Sequence, residues 1–301
     1  MESESLTLRV PWRDFPAVGL QTNGNTLKSH QDYQAAKAGD APAALRTVSA
    51  IYKPHKVHFD CDCIVAVFQL DQARRNALPY TYAKFLGKEL GVPAVSTVFQ
   101  INQVSHTGAG AETRILGQPL YAGKIEPRQK VLIVDDVVTF GSTLANLRGW
   151  LEQHGCQVVG ATTLAQGMFG AQLSPPERAL EKLQEKFGDR VGDLARNLGF
   201  APECFTKREI FQIAKLSQKK FDALVLASEK NHARLFPVAE YDQEMQILLD
   251  AGISKHDARQ RLEQTKPDLV GARDSRVQIL RFATVQAELN QRQSHTHRRS
   301  H

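Results

Sequence analysis

Two adjacent carboxylates, Asp135 and Asp136, are followed closely by Thr139, Ser142 and Thr143, with Gly141 among them. Hydroxyls and a glycine at that spacing suit a turn that wraps an anion. Backbone N–H groups ahead of a helix have no intrahelical acceptor, and the helix dipole adds partial positive charge there. Gly141 permits close backbone approach and whatever φ the turn demands. A phosphate monoester fits such a turn, with Val138 and Phe140 offering their backbone. Asp135 and Asp136 would repel phosphate directly, so their expected chemistry is to accept hydrogen bonds from sugar hydroxyls one step along the ligand. The pattern implies a phosphate held beside a ribose diol.

The elements that must position these residues are legible around them. Lys130 to Leu144 reads KVLIVDDVVTFGSTL. Val131 to Val134, with Val137 beyond, fit a strand buried on both faces, and Leu144 to Leu151 has helical spacing. Strand, acidic pair, hydroxyl turn and helix place an anion site at a strand's carboxyl end. The plain alternative is a buried strand followed by a polar turn that binds nothing. The chain has no GxxxxGK[ST], so a P-loop NTPase is not supported.

The run VLIVDDVVTFGST resembles the PRPP-binding signature of type I phosphoribosyltransferases: apolar residues, two acids, then a TTGxT-like loop. It departs from that form at Phe140, where threonine is commoner. His58 to Leu70 has the make-up of the first core strand. The loop after it is where the family receives pyrophosphate, a role the resemblance gives to Arg74 and Arg75. That loop lacks the compact, glycine-bearing form of many active members, and two solvated arginines are the alternative. Val92 to Ile101 reads as the next strand. The polar run Asn102 to Gln118 stands where the family has a mobile loop closing over PRPP, with Arg114 as its best cation and His106 as second. The order of these features also resembles the phosphoribosyltransferase domain of ComF-like competence proteins.

The resemblance implies an α/β fold, a Rossmann-like parallel sheet of the type I phosphoribosyltransferase kind, over residues 56–170. Residues 1–55 would form an N-terminal segment able to serve as a hood over the base. The implied reaction transfers phosphoribosyl from PRPP to a nucleobase-like acceptor and releases pyrophosphate, a step of nucleotide metabolism. Asp135, Asp136 and Arg114 would act in catalysis. Val138, Thr139, Phe140, Gly141, Ser142, Thr143, Arg74 and Arg75 would hold PRPP or a nucleoside 5′-monophosphate. Mg²⁺ would be carried mainly by PRPP and water, with no metal site on the protein. The rival readings are a non-catalytic PRPP or nucleotide sensor, and an accessory protein of DNA uptake or mobile-element defence.

The remaining sequence sets bounds. With 301 residues, 42% hydrophobic and 23% charged, the chain can hold one large or two modest domains. No apolar run approaches the roughly 20 residues that span a bilayer, and MESESLTLRV lacks a signal-peptide pattern, so a cytoplasmic, non-membrane protein is expected. A net charge of +6 suits phosphorylated ligands. Cys61 and Cys63 would share one face of a strand as core residues, and with Cys156 and Cys204 make no disulfide framework. Ser174-Pro175-Pro176 looks like a helix start, and helical patterns fill an α-helical C-terminal extension over 171–291. Within it, Gln246 to Leu262 resembles a helix–turn–helix, most often a plain helical hairpin. Residues 292–301 read as a disordered tail. A nucleic-acid partner and a homodimer stay open.

Overall fold

The structure, a computed structural model, describes residues 7–54, 59–69, 76–102, 104, 110–167 and 171–298. Five strands form a parallel sheet: β1 (Gly19–Asn23), β2 (Cys63–Ala66), β3 (Ala94–Val95), β6 (Lys130–Val138) and β7 (Gln157–Gln166). Their order is β1-β7-β6-β2-β3, with β6 central and paired to β2 and β7. Two further strands, β4 (Val98–Gln100) and β5 (Tyr121–Gly123), form a separate antiparallel pair. The expected α/β class and parallel sheet are therefore what this chain forms.

Burial explains the arrangement. Val131 to Val134 are all fully buried, and successive side chains of a strand point to opposite faces. Leu132 and Val134 join a core with α2 (Tyr33–Lys37), α3 (Ala41–Ile51) and α4 (Leu78–Leu90). Val131 and Ile133 join a second core with α6 (Ser142–Gln153). A short helix, α1 (Gly24–Lys28), starts directly from the end of β1. Asp40 caps α3, its side chain accepting from the Ala43 N–H at 2.8 Å.

The C-terminal half is helical, as expected. The helices are α7 (Ala179–Phe187), α8 (Arg190–Asn197), α9 (Lys207–Ala214), α10 (Gln218–Leu235), α11 (Pro237–Asp250), α12 (Lys255–Thr265) and α13 (Pro267–Arg298). Elements α7 to α10 share one core, which also takes in Ile115 of α5 (Ala111–Leu116), while α11 to α13 share a smaller one. No helix among the described residues is long and apolar enough to cross a membrane.

Several local expectations are corrected. The N-terminal segment supplies β1, an edge strand of the main sheet, where the Asn23-Gly24 pair suggested only a turn. The single strand expected over 92–101 splits into β3 and β4, because β4 turns away to pair with β5. The polar run before β6 holds α5, whose Ile115 is buried in the helical core. Ser174 does not cap a helix: α7 begins at Ala179, beyond the prolines. Cys61 packs on the α4 side of the sheet and Cys63 on the α6 side, because the chain bends at Asp62 before β2 begins. Helix α13 continues to Arg298, through most of the stretch expected to be a disordered tail.

Candidate functional site

The acidic pair falls inside the last turns of pleat in β6, not beyond its end, so the two carboxylates leave opposite faces. Asp135 is buried on the α6 side and lines a hollow of about 280 Å³ of open space, shared with Val137 to Leu144. Its Oδ1 accepts the Asp136 N–H at 2.8 Å. Burial, and then the neighbouring charge of Asp136, push the Asp135 carboxyl well above its usual range.

Asp136 lies on the α2–α4 side. Its Oδ2 accepts from Lys37 Nζ at 2.9 Å and from Asn76 Nδ2 at 3.1 Å, while Oδ1 accepts the Val137 N–H at 3.0 Å. For Lys37, burial alone would depress the ammonium, but the attraction of Asp136 outweighs it and the group is raised. Lys37 therefore carries its proton at neutral pH.

The turn that follows is shaped by Gly141, whose φ of +83° is left-handed. A Cβ there would also stand 2.6 Å from Leu173 Cδ2. Among the described residues, the N–H groups of Phe140, Gly141, Ser142 and Thr143 donate to no acceptor. They stand at the start of α6, where the helix contributes none, and they border the hollow that Asp135 lines. This is a cradle for an anion, with a carboxylate one step away.

The hydroxyls divide their work differently from the sequence expectation of three donors to one ligand. Thr139 Oγ1 accepts from Arg114 Nη1 at 3.2 Å, which brings the expected loop cation to the turn. Ser142 Oγ donates to Glu209 Oε1 at 2.7 Å, so its contribution to the cradle is its N–H. Thr143 borders the hollow, and its carbonyl accepts from Tyr121 at 3.2 Å. The Phe140 ring lies between two guanidinium groups, Arg114 at 5.5 Å and Arg208 at 5.7 Å from its centre. Arg74, Arg75 and His106 lie outside the described residues.

The turn is anchored from behind by the helical extension. Thr206 Oγ1 donates to the Phe140 carbonyl at 2.7 Å. Thr206 and Glu209 form a capping box at the start of α9. Glu209, fully buried, takes two hydrogen bonds from Arg9, at 2.7 and 2.8 Å. Burial would raise its carboxyl, yet Arg9 and the other donors hold it below the usual value. Arg9 also donates to Asn146 Oδ1 at 2.6 Å and to Gln118 Oε1 at 2.8 Å. Its segment passes so close over α6 that a Cβ at position 149 would collide with the Leu8 carbonyl, which is where Gly149 stands.

Sequence reasoning missed Lys37, Asn76, Arg9, Thr206 and Glu209. The T-x-x-E spacing of Thr206 and Glu209 is a readable signal for a helix start. Nothing local marks Lys37, which meets Asp136 across 99 positions. Among the described residues no group of three or more His, Cys, Asp or Glu could hold a metal ion. Asp135 offers the hard oxygen that Mg²⁺ accepts, as an addition to ligand and water oxygens.

Residues 79–186 match the family model described as the phosphoribosyl transferase domain. That span contains Arg114, Asp135, Asp136 and the whole turn, and excludes Lys37, Asn76 and Glu209. Among curated proteins, the chain is 34% identical over 195 residues to "Protein TraN" of Escherichia coli, covering 62% of this chain and 44% of that one. It is 28% identical over 158 residues to an uncharacterised protein of Haemophilus influenzae, covering 50% of this chain and 35% of the other. The chain thus spans less than half the length of either relative.

Proposed function

We propose, for a chain whose residues 79–186 carry a phosphoribosyl transferase domain, that the site binds PRPP or a nucleoside 5′-monophosphate and transfers the phosphoribosyl group to a nucleobase-like acceptor. The observation that carries this is the row of unused N–H groups from Phe140 to Thr143 at the start of α6, beside Asp135. Four converging donors on a fixed left-handed turn suit the three oxygens of a 5′-phosphate. Asp135 then accepts from the ribose diol. In this reading α1 to α3 serve as the hood, since α2 already reaches the acidic pair through Lys37.

The chemistry asked of the protein is modest. The acceptor nitrogen forms a bond to C1 of the ribose as the C1–oxygen bond breaks. The electron pair leaves on pyrophosphate, and the acceptor's proton is released. Positive charge develops on the ring during the exchange. A fixed 5′-phosphate and a fixed diol hold C1 in line with its attacker, and cationic groups neutralise the departing pyrophosphate. Magnesium, when present on the substrate, supplies further charge neutralisation there.

A second reading, a non-catalytic nucleotide sensor, is favoured by one feature. The turn is hydrogen-bonded to the helical extension through Thr206 and Glu209, so ligand on the turn would act directly on α9. The two are separated by supplying PRPP and Mg²⁺ with a panel of bases and measuring pyrophosphate. Release with any base establishes the transferase; tight PRPP binding without release establishes the sensor.

A further inference from the structure

Asp136 is braced by groups that the family span does not contain. Lys37 closes α2 and Asn76 precedes α4, and both donate to the same carboxylate oxygen, at 2.9 and 3.1 Å. The carboxylate is nearly buried, with 7% of its side chain exposed, whereas Lys37 keeps 35% exposed. The ammonium therefore sits on the solvent side of the acidic pair, where a ligand entering the hollow would meet it.

We infer that Lys37 is a binding residue for the pyrophosphate arm of PRPP, held in place on Asp136 until the ligand arrives. The inference rests on the PRPP reading above and adds to it. In PRPP the pyrophosphate is carried on C1, the carbon next to the 2-hydroxyl. A cation already paired with the acidic edge that takes the diol is thus close to the first phosphate of that arm. The arm also needs such a cation, because two aspartates facing an anionic ligand would otherwise oppose its entry. Lysine suits the task, as a compact charge on a flexible stem whose three donors can serve Asp136 and a phosphate oxygen together. As the C1–oxygen bond breaks and the electron pair moves onto pyrophosphate, the ammonium stabilises the growing charge without giving up its proton.

The test compares two ligands that share the 5′-phosphate and ribose but differ in the arm. Affinities for PRPP and for AMP are measured on the full chain with Mg²⁺, for the parent, Lys37→Met and Lys37→Gln. The Gln variant keeps a donor to Asp136 and preserves the fold should Met disturb it. A charge-assisted contact of this kind predicts about a tenfold or greater loss for PRPP, with AMP changed less than about twofold and Lys37→Arg recovering part of the loss. Equal losses for both ligands would make Lys37 only a brace for Asp136 and overturn the inference. So would unchanged PRPP affinity in a parent that binds both. A parent that binds neither ligand would overturn the functional reading, and this inference with it.

Discussion

Ser142 Oγ lies 2.7 Å from Glu209 Oε1, joining the first residue of the helix behind the anion turn to a carboxylate in the helical extension. Glu209 is itself paired with Arg9 at 2.7 Å, both side chains being almost wholly buried. Three segments far apart in sequence thus meet behind one turn. The extension is part of the site's frame.

The first prediction concerns that frame. Glu209→Ala leaves the Arg9 guanidinium buried without its partner, a change that costs about 3–5 kcal/mol in comparable pairs. The midpoint of urea unfolding should fall accordingly. A fragment ending at residue 170 should lose cooperative unfolding altogether, because Arg9 and Trp12 would lose Glu209 and the Phe205 carbonyl. A fragment that melts as sharply as the full chain would contradict this account.

The second concerns the turn. Gly141→Ala forces a Cβ onto a left-handed residue and against Leu173. The strain should cost about 1–3 kcal/mol of stability. It should also move the cradle N–H groups apart, shrinking the rise in melting temperature that a nucleoside monophosphate gives the parent. Equal ligand-induced rises in parent and variant, read by thermal shift, would remove the turn from the site.

The third separates the two aspartates by pH. The Asp135 carboxyl is raised above the ordinary 3.8 by burial and by Asp136. The native state therefore holds that proton more tightly than the unfolded chain. The stability it contributes is full below about pH 4 and is lost as pH rises through the folded value. Asp135→Asn escapes that loss, so it should be more stable than the parent at pH 7, by a margin that closes as the pH falls toward 4. Its ligand affinity should drop about tenfold or more, with the diol's charged acceptor gone. Glu209 works with the opposite sign: its lowered carboxyl gives stability above about pH 4.5 that is lost on acidification. A pH-independent margin for Asp135→Asn in thermal melts would refute the assignment.

How much of this was legible in the sequence follows from which residues act locally. The run from Lys130 to Thr143 declares itself because strand, acids and turn are consecutive, and each has a short-range physical signature. Helices such as α4 and α12 are equally readable, since Gly91 and Ser254 mark an end and a start. Strand β1 was not readable: Gly19 to Asn23 has weak strand character and exists because β7 offers it a parallel edge. The unlike roles of Asp135 and Asp136 follow from strand alternation once β6 is seen to run through both. Lys37 and Glu209 carry no local mark at all, because their meaning comes from partners 99 and 67 positions away.

The central claim is that the turn from Thr139 to Thr143 holds a 5′-phosphate. Its most direct test is calorimetric titration of the full chain with PRPP and Mg²⁺, repeated with AMP already present and repeated on Gly141→Val. The account predicts one PRPP site per chain, displaced competitively by AMP and lost in the variant while its fold is retained. PRPP binding that AMP does not displace, or that survives in Gly141→Val at the parent's affinity, would contradict it.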